Sequence, residues 1–352
     1  MSTSFLLYGA YGFVGEPTAR MAVAQGLRPV LAGRNAAKVE RLATELGLPY
    51  HVFDLDDARA LDRALNEVPA VLHCAGPYMH TADAMVEGCL RTGTHYMDIT
   101  GEIPVFQAIA ARDAAAKACG VMLLPGVGFD VVPTDCLALY LKQRLPSATQ
   151  LQLAFQIRGP AGLPPGTQRT AIELLPYGDK VRRHGQLVAP ESPGQRREVD
   201  FGTGPVTVTQ LTWGDVFTAY FSTGIPNIEV YTVLPRAMRR GMALMRRMRP
   251  LFKLPFMRAL AQRAVGEGST AEERGRSTAH VWGQVRDELG ATATARLHGP
   301  EATVVWTAGA ALTAMRHVLN DDVHPGYQTP ARAYGADFVL EVEGVVREDV
   351  EG

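Results

Sequence analysis

FLLYGAYGFVGEPTARMAVAQG, residues 5–26, is the stretch whose reading decides the fold. Its apolar opening, Phe5–Tyr8, is the length of a short strand buried on both faces. Gly9, Gly12 and Gly15 follow at three-residue spacing, and a helical pattern takes over behind them. Strand, bare turn and helix in that order form the context in which a backbone can approach a pyrophosphate. Gly9 makes the tight turn, Gly12 admits the phosphates against the chain, and Gly15 lets the helix close on the strand. With Tyr11, Phe13 and Val14 between them, these residues read as a cofactor cradle at a helix N-terminus, where amides and the dipole favour anions. Pro17 suits the first helical turn, where its missing donor costs nothing. The spacing is GxxGxxG and not GxGxxG, so the reading leans on what surrounds it.

Outward from the loop, strands and helices alternate as far as residue 130. Apolar runs at 5–8, 29–32, 50–53, 70–74, 95–99 and 121–124 read as strands. Between them lie helical patterns such as 35–47, opened by Asn35 and closed by Gly47, and a single pattern over 102–120. Nearly continuous apolar strands separated by helices predict a parallel sheet covered on both faces. The expected class is therefore α/β, a Rossmann-type doubly wound parallel sheet in residues 1–130. Past Pro146 the character changes to polar-alternating, threonine-rich runs at 151–157, 180–188, 197–213 and 227–234, with a hairpin over 278–299. These predict a second, mixed α+β domain over 131–302. Residues 303–352 are expected to return to the first domain through a helix at 303–322 or a strand near Phe338–Val342.

Ligands of such sheets sit at the carboxyl ends of the strands. At the second strand end stand Gly33, Arg34 and Asn35. Arg34 takes the place where NAD-binding proteins have a carboxylate for the ribose 2′-hydroxyl, and a guanidinium there suits a 2′-phosphate. NADPH is thus the expected cofactor. The third strand end offers Asp54 and Leu55 near the adenine. The fourth offers Cys74, Ala75, Gly76 and Pro77, followed by Tyr78. The fifth brings Asp98, Gly101 and Glu102, and the sixth brings Asp130.

Several chemistries are excluded by inspection. None of the eleven tyrosines has a lysine four residues on, and neither a GxSxG elbow nor a phosphate-binding GxxxxGK loop occurs. Histidines and cysteines lack metal-ligand spacing, so no metal is expected. The four cysteines are scattered and read as reduced thiols. A net charge of −1 and the lack of a recognition motif argue against nucleic acid. No leader pattern opens the sequence and no run reaches the roughly 18 apolar residues of a membrane span, so a cytoplasmic protein is expected. Hydride transfer with a nicotinamide cofactor remains.

GAYGFVG, LAGRN, CAGPY, HYMDITGE and PGVGFDVVPTD, in this order, resemble the saccharopine dehydrogenase-like oxidoreductases, and most of all their trans-acting enoyl reductase branch. VWGQVRDELG and GYQTPARAYGADF extend the likeness over nearly the whole chain. The resemblance implies an NADP-dependent reductase with a second domain, acting on a polyketide- or lipid-type substrate. Val131 stands where the family has serine, which removes a hydroxyl from a turn facing the substrate.

Reduction of an enoyl group needs hydride at the β-carbon, a proton for the α-carbon and support for an enolate oxygen. Tyr78, Asp98 and Asp130 are the catalytic candidates, Tyr78 as proton donor and the carboxylates as orienting groups. An opine- or saccharopine-type amino acid dehydrogenase is a rival reading, for which Arg158, Arg169, Arg182 and Arg183 would have to clamp carboxylates. A non-catalytic NADP-binding protein on a lipid surface is another. It draws on residues 231–265, which hold nine Lys or Arg and no acid, with Met, Leu and Phe between them. Such a stretch suits an acyl carrier protein, which is acidic, or peripheral contact with a membrane surface. A carrier-linked or small-molecule substrate and a homodimer are both compatible with the sequence.

Overall fold

The computed structural model describes residues 4–266 and 268–350. From the N-terminal side the chain alternates β1 (Leu6–Tyr8), α1 (Gly15–Ala24), β2 (Val30–Gly33), α2 (Ala36–Leu46), β3 (Tyr50–Val52) and α3 (Ala58–Leu65). It continues with β4 (Ala70–His73), α4 (Tyr78–Thr92), β5 (His95–Asp98), α5 (Ile103–Ala110), α6 (Asp113–Ala118) and β6 (Met122–Leu124). Then come α7 (Val132–Arg144), β7 (Gln150–Arg158), α8 (Pro165–Leu174), β8 (Val181–Arg183) and β9 (Gln186–Val188). After β10 (Arg196–Asp200), β11 (Pro205–Leu211), α9 (Asp215–Thr223) and β12 (Asn227–Thr232) follow α10 (Arg236–Arg247), α11 (Pro255–Arg263) and α12 (Ala271–Gly275). The last elements are β13 (Thr278–Arg286), β14 (Thr292–Gly299), α13 (Thr307–Leu319), β15 (Gly326–Tyr327), α14 (Pro330–Tyr334) and β16 (Val346–Val350).

Two compact units share these elements. The first runs to Val132 and takes back Thr303–Tyr334 and Glu341–Glu343; the second holds Pro133–Ala302, Gly335–Leu340 and the chain from Gly344 on. The first unit is a seven-stranded sheet in the order β3-β2-β1-β4-β5-β6-β15, parallel throughout. Strands β1, β2, β4 and β6 are buried along their whole length, which is why they read as apolar runs without alternation. Helices α1, α2 and α13 pack together, and α3, α4 and α5 form another group. Helix α2 starts and stops where its capping residues predict: the Asn35 side chain accepts from Lys38 N–H at 3.0 Å, and Gly47 closes it in the left-handed region.

The single helix expected over 102–120 is two. Arg112 breaks it at a turn, held there because its guanidinium reaches across to Glu87 at 2.6 Å and to Asp83 on α4. The C-terminal segment does not return as one piece. Helix α13 packs on α1 and β4, and β15 extends the parallel sheet from β6, whereas β16 pairs with β14 in the second unit. Residues Phe338–Glu341 form a 3-10 turn and not a strand. Phe338 and Val339 are fully buried there, so the run is apolar for packing and not for sheet pairing.

The second unit centres on a nine-stranded mixed sheet, β10-β11-β12-β7-β13-β14-β16, with the β8–β9 hairpin attached to β12. Only β12 and β7 run parallel; the remaining pairs are antiparallel. Gly283 on β13 lies under Leu137 and Leu141 of α7, where any Cβ would meet Leu141 at 2.7 Å. Trp282, on the opposite face, joins Ala154, Val199, Phe201, Val208 and Tyr231 in a second apolar cluster.

Candidate cofactor and proton-transfer site

The site is assembled at the carboxyl ends of the first unit's strands. Gly9, directly after β1, has φ +82° and sits so close to β4 that a Cβ would lie 2.8 Å from the Cys74 carbonyl carbon. Its N–H donates to Ala32 O at 2.9 Å and its carbonyl accepts from Gly12 N–H at 3.0 Å, which curls the loop tightly. Gly15 is more constrained still, since a Cβ there would stand 2.1 Å from Gly9 O. Intrahelical bonding starts with Glu16 N–H donating to Gly12 O, so the amides of Val14 and Gly15 precede the first helical donor. Tyr11, Gly12, Phe13 and Val14 keep part of their surface exposed. The cradle has the bare backbone and the open helix mouth that a pyrophosphate requires.

At the end of β2, the Tyr11 ring lies across Gly33, where a Cβ would meet Tyr11 Cε1 at 2.6 Å. The Tyr11 hydroxyl accepts from Asn35 N–H at 3.3 Å, and Lys38 Nζ stands 5.7 Å from the ring centroid. Arg34 is exposed beside them. The loop, the second strand end and the first turn of α2 thus bring two cations and an aromatic face together. Sequence reasoning missed Lys38. Its signal is the four-residue spacing from Arg34 on a helix that Asn35 opens. Asp54, after β3, is exposed and accepts from Asp56 N–H at 3.3 Å; Leu55 turns inward and is buried. Burial, Asp54 and Tyr11 raise the Tyr8 phenol while Arg34 opposes them, which locates these groups around one point.

The ends of β4, β5 and β6 meet through carboxylates. Cys74 continues β4 by donating its N–H to Tyr8 O at 2.8 Å, and burial pushes its thiol up. The Ala75 and Pro77 carbonyls accept from the Thr81 hydroxyl at 2.7 and 3.3 Å, so the loop through Gly76 is held on α4. Tyr78 turns its phenol toward the end of β4. Its hydroxyl donates to His73 O at 3.3 Å, its ring meets His73 edge-on, and the residue is buried. Burial raises that phenol well above its ordinary range. A phenol bonded to the last carbonyl of β4 braces the start of α4 on that strand.

Asp98 is a tie between strand ends. One carboxylate oxygen accepts from Tyr96 OH at 2.6 Å, and the other accepts from Thr100 N–H and Gly126 N–H, each at 2.9 Å. Burial lifts its pKa to about 6 against the pull of those donors. Glu102 reaches back to the start of α4, where it accepts from Tyr78 N–H at 3.0 Å and Met79 N–H at 2.8 Å. A buried carboxylate on two helix-terminal amides is well supported electrostatically. Asp130 packs against Gly101, where a Cβ would come within 2.9 Å of Asp130 Oδ2. The residue is half-buried but its carboxyl is enclosed, and burial together with the Glu102 charge pushes its pKa up to about 7. Of the three catalytic candidates, Asp130 alone combines a proton at neutral pH with partial exposure.

Residues 5–124 match the family model described as the saccharopine dehydrogenase NADP binding domain. That match takes in the glycine loop and strands β1–β6 of the first unit. A saccharopine dehydrogenase-like oxidoreductase of Mus musculus is 31% identical over 201 residues, which are 50% of this chain and 46% of that protein. A trans-acting enoyl reductase of Mycobacterium leprae is 33% identical over 148 residues, 40% and 35% of the two chains. A putative trans-acting enoyl reductase of Mycobacterium tuberculosis is 33% identical over 220 residues, 57% and 51%. The chain thus spans about half or less of the length of these relatives. Apo saccharopine dehydrogenase (L-Glu forming) from Saccharomyces cerevisiae shares the fold, with a TM-score of 0.67 at 13% identity over 99% of this chain and 100% of that one. The bare loop and the cationic β2 end fit the NADP of this domain.

The arginines weighed as carboxylate clamps lie in the second unit, and three of them, Arg158, Arg182 and Arg183, have side chains bonded within it. Arg182 is buried, donates to Val216 O and Gly185 O, and stacks on Tyr220 at 4.1 Å. Arg183 is paired with Glu229, Arg158 is bonded to Gln156 and Thr203, and Arg169 offers its carbonyl to Gln262. Arg183 and Glu229 also line a cavity of about 740 Å³ with Arg197 and Arg286.

Proposed function

We propose that this protein is an NADPH-dependent reductase of an activated C=C bond in an apolar substrate of lipid or polyketide type. The observation that carries the reading is the Asp130 carboxyl, enclosed against Gly101 in a partly exposed residue of the unit that carries the NADP-binding loop, with its pKa pushed up to about 7 by burial. The enoyl reductases among the relatives support the choice of bond.

In this reading the Gly9–Gly15 loop and the helix mouth hold the pyrophosphate, and Arg34 with Lys38 holds the 2′-phosphate. Bound NADPH supplies the hydride. Asp130 supplies the proton from its carboxyl and is left as carboxylate, so hydride and proton together saturate the double bond. Glu102 is a positioning residue. Its charge keeps the Asp130 proton in place, and it is itself anchored on α4. Tyr78 and His73 line the wall; burial lowers the His73 pKa to about 3, so that ring stays neutral.

The test is NADPH oxidation against matched panels of 2-enoyl thioesters, cyclic imines and 2-oxo acids with amino acids. Turnover of the enoyl panel, with NADH at least tenfold poorer, supports the reading. Turnover confined to the imine or oxo-acid panels would replace the C=C assignment.

A further inference from the structure

We propose that helices α10 and α11, with the 3-10 turn between them, form a docking surface for an anionic lipid bilayer. The helical spacing sorts each helix into two sides. On α10, Arg239, Met242 and Arg246 turn inward and are half-buried, and Arg246 is paired with Asp179 at 2.6 Å. Arg236, Arg240, Leu244 and Arg247 take the other side and are exposed. On α11, Met257, Arg258 and Ala261 turn inward, and Arg258 meets Glu173 of α8 at 3.2 Å. Phe256, Leu260 and Arg263 face out.

That outward side is the reverse of a solvated helix face. Phe256 is 64% exposed, Leu260 59% and Leu244 57%, and Leu251 and Leu254 of the intervening turn are exposed as well. Large side chains gathered this way on an outer surface mark an interaction site. Among the described residues, Arg236, Arg239, Arg240, Arg247, Arg249, Lys253 and Arg263 make no ion pair. No acidic residue occurs between 231 and 265 to neutralise them. The partner must therefore be anionic and must also take apolar side chains from projecting crests.

A bilayer with acidic headgroups meets both needs at once. Phe and Leu enter the headgroup–acyl boundary, while the long arginine stems bend toward the phosphates. The cations are distributed along two helices and a turn instead of being gathered in one socket, which matches a charged plane better than an acidic knob on a protein.

The test uses the full chain and flotation with phosphatidylcholine vesicles, with or without about a third of phosphatidylglycerol. The expected result is flotation with the anionic vesicles only, released at about 1 M salt, where the screening length falls to about 3 Å. Arg240→Glu/Arg247→Glu should lower the partition coefficient at least tenfold, as should Phe256→Ser/Leu260→Ser. Lys253→Glu/Arg263→Glu repeats the charge test independently. All six positions are exposed, so unchanged thermal midpoints and NADPH binding are expected to confirm that the variants fold. Flotation on neutral vesicles alone, or none on either, overturns the proposal. A dimer that Phe256→Ser/Leu260→Ser dissociates, without vesicle binding, would assign the face to a second copy of the chain. Vesicle binding is read without turnover and so stands or falls separately from the redox assignment.

Discussion

In the proposed reading the proton comes from Asp130 and not from Tyr78, and the reason is the direction of the Tyr78 hydroxyl. A tyrosine after Gly76–Pro77 is visible in sequence, but the bond from its hydroxyl to His73 O is not. Tyr78→Phe should therefore leave turnover within a few-fold, whereas Asp130→Asn should lower it by about 10²–10⁴. In the wild type, kcat/KM should fall as pH rises through about 7, where Asp130 loses its proton, and that arm of the profile should vanish in Asp130→Asn. Stability carries the same sign. Between the ordinary 3.8 and about 7 the folded protein holds a proton that the unfolded chain does not. Stability contributed by this site is thus lost as pH rises through that window. Asp130→Asn should accordingly gain stability over the wild type at pH 8 but not at pH 4, by paired thermal melts. Arg34→Asp should weaken NADPH by about 1.5–3 kcal/mol, roughly 10–100-fold, while NADH affinity hardly changes. Equal losses for both cofactors in calorimetric titration would remove the 2′-phosphate role.

At the level of elements, what is legible in the sequence is local. The three glycines, the Asn35 and Gly47 caps and the apolar strands each state their role within a few residues, and the structure realises them. Gly15→Ala puts a methyl 2.1 Å from Gly9 O, so α1 must shift off the loop. A cost of about 1–3 kcal/mol in chemical denaturation is expected, with NADPH affinity falling alongside. What is not legible spans distance. Glu102 opens α5, yet its carboxylate serves the amides of α4, 24 and 23 positions back. Lys38 becomes part of the site only because Tyr11 folds over Gly33. Phe338–Glu341 shows the converse: an apolar run that composition cannot assign to strand or turn, because burial alone accounts for it.

For the whole molecule, the layout depends on chain that comes back. Helix α13 is buried along most of its length, with nine of its residues buried. Its Thr307 hydroxyl accepts from Phe129 N–H at 3.2 Å beside the sixth strand end. A chain ending at residue 300 should therefore expose the apolar face that α13 covers, and aggregate or lose NADPH binding. Soluble, cofactor-competent 1–300 protein would contradict that. The reductase assignment itself rests on a hydride reaching a carbon of the substrate. The most direct measurement is mass spectrometry of product formed from NADPH deuterated on the transferred face of C4 and a 2-enoyl thioester. One deuterium at the β-carbon and a solvent proton at the α-carbon is the predicted result, with at least tenfold less label transferred from equally deuterated NADH at equal concentration. NADPH bound at the loop with no deuterium delivered to the β-carbon of any enoyl thioester would contradict it.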